Sequence, residues 1–305
     1  LVFFAMLIGI LSGSSPPTIA ANSVSSKQRQ TLMHDGIERS YVIRVPHGIM
    51  ESKTPVPLVF VLHGGGGNAD NAERITGFTE KAEKEGFIVA YPEGTSRFKG
   101  KLRTWNAGHC CGYAMRNRVN DVDFIRALID EISETHPIDR NRIYATGMSN
   151  GGMMTHRLGI ELSDRFAAIA PVVATVFGDE SEPQAPVSAV MLNGMLDKSV
   201  PYRGGPTGGR FPRAWDGMPA KPASEQANFW ANANECMDIP HREIKERHIL
   251  THYRCPAGKA VKLYLIKDNG HAWPGGQQGS RMGDKPSYAL IGTDVIWTFF
   301  EAHPK

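Results

Sequence analysis

The chain has 305 residues, of which 41% are hydrophobic and 21% charged, a balance that excludes a disordered or fibrous protein. A formal net charge of +3 with no dense Lys/Arg run gives no reason to expect a nucleic-acid partner. Four cysteines are too few for a disulfide-built miniprotein but enough for one or two staples, and 32 glycines with 20 prolines point to many tight turns.

Residues 1–11 form an apolar run, shorter than the ~20 residues a membrane span needs. Residues 12–17 break it, and the small residues Ala20 and Ala21 follow. That order is expected of a secretory signal peptide over residues 1–21, with its start truncated because neither Met nor a basic n-region precedes it. Secretion would place the cysteines in an oxidising space and leave residues 22–305 as one domain, with no stable membrane insertion after cleavage. Residues 22–30 read as a polar link.

Residues 41–46 and 57–62 read as strands, the second stopping at His63-Gly64-Gly65-Gly66-Gly67. A helix is expected over 71–85 and a strand over 87–92. Residues 121–136 are amphipathic, with Val122, Ile125, Leu128, Ile129 and Ile132 on one face. A strand over 142–146 leads to a helix over 151–161. Further strands follow at 166–170, 187–192 and 261–266, then a terminal helix at 288–302. The Gly/Pro-rich stretch 201–222 is long enough for a functional cover. Near-continuous apolar strands alternating with helices argue for an α/β fold with a mostly parallel sheet covered on both faces. Ligands of such sheets sit beyond the carboxyl ends of the strands.

Directly after the strand at 142–146 stands Gly147-Met148-Ser149-Asn150-Gly151-Gly152, which fits G-x-S-x-G between a strand and a helix. Such a turn pushes the serine hydroxyl out of the sheet. Serine needs a base to take its proton and an acid to orient that base. Asp197 follows the strand at 187–192, and His271 follows the strand at 261–266, so both stand on post-strand loops in the order Ser, Asp, His. Asp179 follows an earlier apolar segment, and Asp268 is too near His271 in sequence. His156, His248, His252 and His303 read as surface or packed residues.

Acyl transfer also needs N–H donors for the oxyanion. The backbone N–H of Asn150 is one candidate and the glycine loop supplies the other, with Gly65 favoured and Gly64 next. No Gly-Lys-Ser/Thr follows the loop and no G-x-G-x-x-G opens a helix, so phosphate and dinucleotide sites are not expected. His109, Cys110 and Cys111 lack a fourth ligand at a spacing suited to zinc. Trp105 and Trp273 lie in loops expected to rim the site, either stacking on substrate or simply packing.

Together with the elbow, six segments carry a family resemblance: Leu62-His63-Gly64, Tyr91-Pro92-Glu93-Gly94, the run from Thr104 through Cys110 and Cys111 to Gly112, Asn120-Asp121-Val122-Asp123-Phe124-Ile125, the stretch from Asp197 to Tyr202, and Gly270-His271-Ala272-Trp273-Pro274-Gly275. From about residue 32 to 300 the chain resembles the secreted polyhydroxybutyrate depolymerase-like esterases, related to feruloyl and acetylxylan esterases of carbohydrate esterase family 1. The resemblance implies an α/β-hydrolase fold, no cofactor or metal, and Ser149, Asp197 and His271 as the triad. It also implies a Cys236–Cys255 disulfide, against the alternative of two buried thiols. Cys110 and Cys111 are left as either a vicinal disulfide or free thiols. Asn120 stands where the family often has a first acid, which puts a local hydrogen bond in doubt.

The resemblance implies a polymeric or oligomeric ester substrate. Polyhydroxyalkanoate-type polyesters are the first expectation, and feruloyl or acetyl esters on plant polysaccharide the alternative. A serine peptidase or a non-catalytic binding protein on the same fold are the lesser readings. Oligomeric state is not legible.

Overall fold

In the computed structural model the described residues are 26–98, 100–207, 212–237 and 239–305. The expected leader at 1–21 lies outside them. In chain order the elements are β1 (Ser26–His34), β2 (Ile37–Val45), α1 (Ile49–Ser52), β3 (Val56–Leu62), α2 (Ala69–Thr76), α3 (Phe78–Glu85) and β4 (Ile88–Pro92). Then come α4 (Gly112–Arg116), α5 (Asp121–Thr135), β5 (Ile138–Met148), α6 (Asn150–Glu161), β6 (Ala168–Val172) and β7 (Ser188–Gly194). The chain closes with α7 (Ala223–Ala233), β8 (His241–Ile244), β9 (His248–Arg254), β10 (Ala260–Ile266) and α8 (Gly292–Glu301).

The strands form one sheet in the order β1-β2-β4-β3-β5-β6-β7-β10-β9-β8. The pairings from β4 through β3, β5, β6 and β7 to β10 are parallel. Those at the two edges are antiparallel. A parallel interior explains the apolar runs, because side chains alternate faces and both faces are covered. In β3, Leu58, Phe60 and Leu62 pack with α5, α6 and α7, whereas Val59 and Val61 pack with α2, α3 and α8. Among the described residues no helix is long and apolar enough to cross a membrane.

Three departures from the sequence expectations have local causes. The helix expected over 71–85 is broken by Gly77, whose φ of 66° is left-handed. Its N–H caps α2 through Glu73 O at 3.1 Å, and α3 starts afresh. Residues 26–30, read as part of a polar link, belong to β1, an edge strand with most residues exposed and so without the apolar alternation that marks a strand. The terminal helix starts at Gly292, not 288. Cys236 and Cys255 are joined in a disulfide that ties the chain after α7 to the end of β9, and Cys110 is bonded to Cys111.

Candidate active site

β5 ends at Met148 and α6 begins at Asn150, so Ser149 alone makes the turn, with φ 58° and ψ −122°. Its N–H donates to Val172 O at the end of β6, at 2.9 Å. The flanking glycines leave no room for side chains. A Cβ on Gly147 would lie 2.5 Å from Gly151 O, and one on Gly151 would lie 2.5 Å from His63 O. The elbow is therefore pressed between β3 and its own helix.

Asp197, just past β7, and His271, past β10, meet Ser149 from loops beyond two strands that pair with each other. His271 Nε2 lies 2.8 Å from Ser149 Oγ, and Nδ1 lies 2.7 Å from Asp197 Oδ2. The other Asp197 oxygen, Oδ1, accepts the N–H groups of Ser199 at 2.8 Å and Val200 at 2.9 Å. That fixes a buried carboxylate with one oxygen left for the imidazole. The histidine loop is shaped by buried Asn269. Its Nδ2 donates to Gly270 O and Ala272 O, each at 2.9 Å, and its Oδ1 accepts Ser287 N–H at 2.9 Å.

The glycine loop after β3 packs on the elbow. An added Cβ on Gly65 would sit 3.6 Å from Asn150 Cβ, and one on Gly64 would sit 3.4 Å from Met148 O. Gly66 N–H is spent on Arg103 O at 2.7 Å and Gly67 N–H on Gly64 O at 2.9 Å. His63 holds the loop from below. Its Nδ1–H donates to Gly64 O at 2.8 Å and its Nε2 accepts Gly94 N–H at 3.0 Å. Burial pushes its pKa down to about 4, so it stays neutral in this single tautomer near pH 7.

Trp105 and Trp273 do not rim the site. Both are 0% exposed. Trp105 Nε1–H donates to His63 O at 3.0 Å, and its backbone is gripped by the Asn150 side chain, which accepts Trp105 N–H at 2.7 Å and donates to Trp105 O at 3.0 Å. Trp273 Nε1–H donates to Thr293 Oγ1 at 3.0 Å. Large rings this close to the sheet gain more from burial than from solvent. Of the two readings, packing is the one their burial fits, and the rings brace the glycine and histidine loops. Trp230 and Trp297 are buried too, which leaves Trp215 as the half-exposed tryptophan. It pairs with Cys110, whose Sγ faces Asn150 Nδ2 at 3.7 Å. Sequence reading passed over Trp215, which sits in the Gly/Pro-rich stretch without a motif around it.

The other acids and histidines face elsewhere. Asp179 and Asp216 flank His109, at 2.8 Å from Nε2 and 2.7 Å from Nδ1. Asp268 bonds Ser287 Oγ at 2.6 Å. His156 is buried between Gln226 and Trp230. Asn120, the departure from the family pattern, caps α5 by accepting Asp123 N–H. Its neighbour Asp121 is buried, bonded to Arg39 and to Asn106 N–H at 2.7 Å each, and so braces the 104–112 run.

A sequence profile described as "Esterase PHB depolymerase" matches residues 39–224. The chain belongs to this esterase family. It is similar to feruloyl esterase B of Piromyces equi, 31% identical over 248 residues, which span 79% of this chain and 44% of that protein. It is also similar to putative esterase NocK of Nocardia uniformis subsp. tsuyamanensis, 29% identical over 254 residues, covering 79% and 72% of the two chains. Probable feruloyl esterase C of Aspergillus niger is 25% identical over 295 residues, covering 92% of each chain. Among solved structures, acetyl xylan esterase from Aspergillus awamori superposes with a TM-score of 0.62 at 15% identity, over 90% of this chain and 99% of that one. An S-formylglutathione hydrolase from Agrobacterium tumefaciens gives 0.55 at 13% identity, over 92% and 96%. At these identities the likeness speaks to the fold, the α/β-hydrolase architecture that the sequence resemblance implied.

Proposed function

We propose that the chain is a serine carboxylic ester hydrolase working through a covalent acyl-enzyme. The observation that carries this reading is the unbroken hydrogen-bonded line from Asp197 through His271 to Ser149. Ser149 Oγ attacks the ester carbonyl while His271 Nε2 accepts its proton and returns it to the leaving alcohol. Asp197 holds the imidazole in one tautomer and stabilises its charged form. The backbone N–H groups of Asn150 and Gly65 receive the oxyanion. Among the described residues Gly64 and Gly65 keep N–H groups without an acceptor, which supports that assignment. Water activated by His271 then frees the acid.

For the substrate, relatives named as feruloyl and acetylxylan esterases favour hydroxycinnamoyl or acetyl esters of plant polysaccharide over polyhydroxyalkanoate-type polyesters. Trp215, in place of Trp105 and Trp273, is a half-exposed aromatic beside Cys110 that a bound ring could use. Two disulfides fit an oxidising compartment, consistent with export. The test is turnover of a short-chain p-nitrophenyl ester. Ser149→Ala should cut kcat by roughly 10⁴-fold or more. Equal turnover by the variant would sink the reading. Rates on methyl ferulate, acetylated xylan and hydroxybutyrate oligomers then rank the substrate classes.

A further inference from the structure

The imidazole of His271 is aimed by its partner Asp197, but the backbone that carries it is held by a second carboxylate. His271 N–H donates to Asp284 Oδ2 at 2.7 Å. A carboxylate accepting an amide is a charge-assisted bond, stronger than its neutral counterpart. The same carboxylate occupies the space beside Gly270. A Cβ there would overlap Oδ2 and come within 2.8 Å of Asp284 Cγ. A side chain at residue 270 would have to push the Asp284 carboxylate aside.

Asp284 is itself presented on a braced segment. On one side of it, Gly283 N–H donates to Ser280 O at 3.1 Å and Gln278 Nε2 donates to Gly283 O at 2.6 Å. On the other, Ser287 ties back to Asn269 and Asp268 in the histidine loop. Arg74 on α2 anchors the far end through Gln278 O and Gly279 O, at 3.0 Å each. The carboxylate is therefore fixed relative to α2 and to the histidine loop alike, although it is solvent-exposed.

We propose that Asp284 is a positioning residue for His271, holding the loop so that Nε2 reaches Ser149 Oγ while Nδ1 stays on Asp197. The proposal rests on the esterase reading of the Ser149 site. Asp284 touches no reacting atom. Its loss widens the range of imidazole orientations without removing a substrate contact, and misplacement at a catalytic base falls on kcat.

The experiment compares Asp284→Ala and Asp284→Asn with the unaltered chain, by p-nitrophenyl ester kinetics, thermal melting and the low-field proton resonance of His271 Nδ1–H. Asp284→Ala should lower kcat about tenfold at unchanged KM, with the melting temperature little moved because the residue is exposed. Its low-field resonance should broaden or vanish. Asp284→Asn keeps an acceptor oxygen and should recover most of kcat and the resonance. An unchanged kcat and resonance in Asp284→Ala would overturn the proposal, as would equal impairment of both variants. The resonance is read without substrate. A chain with no esterase turnover at all would defeat the parent reading and still leave the positioning role measurable.

Discussion

Ser149 and His271 are 2.8 Å apart, yet the two sides of that hydrogen bond are built by different means. On the serine side, backbone presses on backbone. Gly147, Gly151 and Gly152 each approach other main-chain atoms so closely that a methyl group would collide within 3 Å. On the histidine side, backbone also packs close, since a Cβ on Gly194 would come within 2.3 Å of Asn269 O, but polar side chains add to the hold, Asn269 from within and Asp284 from the surface. Steric confinement tolerates no substitution but needs no partner. Polar tethering tolerates adjustment but fails when one partner is removed. The nucleophile, held without side-chain tethers, is thus the stiff half of the site, and the base, whose packed backbone also relies on them, the more tunable half.

The largest effect should come from breaking the stiff half. Gly151→Ala drives a methyl to within 2.5 Å of His63 O and 2.6 Å of Leu62 O, both on the end of the central strand β3 or just beyond it. Backbone cannot yield cheaply there, so a loss of about 3 kcal/mol or more is expected together with loss of ester turnover. Thermal melting and p-nitrophenyl ester assays check both.

A smaller effect is expected in the tunable half. Asn269→Ala strips donors from Gly270 O and Ala272 O and an acceptor from Ser287 N–H, at about 2 kcal/mol. The protein should remain folded with kcat reduced more than KM is raised. A variant that keeps full kcat would show that the histidine loop is held sterically after all.

The smallest effect lies in a polar tie beyond the triad. His109 stands between Asp179 and Asp216, and only the imidazolium can donate from both ring nitrogens. Burial pulls its pKa down, the hydrogen bonds to the two carboxylates pull it up, and the net shift is upward. A raised folded-state pKa means the contribution is complete below the unfolded value near 6.5 and fades as pH rises through the folded value. The site is partly exposed, so the gain is no more than about 1 kcal/mol. Melting temperature should fall slightly across that window, and Asp216→Asn should flatten the fall.

The same contrast governs what could be read in advance. The elbow was legible because backbone confinement writes itself into adjacent letters, glycines two residues either side of a serine. The placing of Asp197 and His271 followed from the strands before them, whose apolar runs are forced by a sheet buried on both faces. Polar tethers leave no such trace. Asp284 stands 13 residues from His271, in a loop without a motif. Nor does composition say which way a ring points, so Trp105 and Trp273 sat near the right loops but faced the core. β1 escaped notice because an edge strand exposes residues that the interior would have made apolar.

The sheet order has a consequence in time. Ser149 and His271 are 122 residues apart in the chain, and the loop bearing His271 is set only when β10 has docked between β7 and β9. Contacts of such long sequence separation carry a loop-closure cost that local helices and hairpins do not. Ester turnover therefore reports a long-range docking that helical content alone does not.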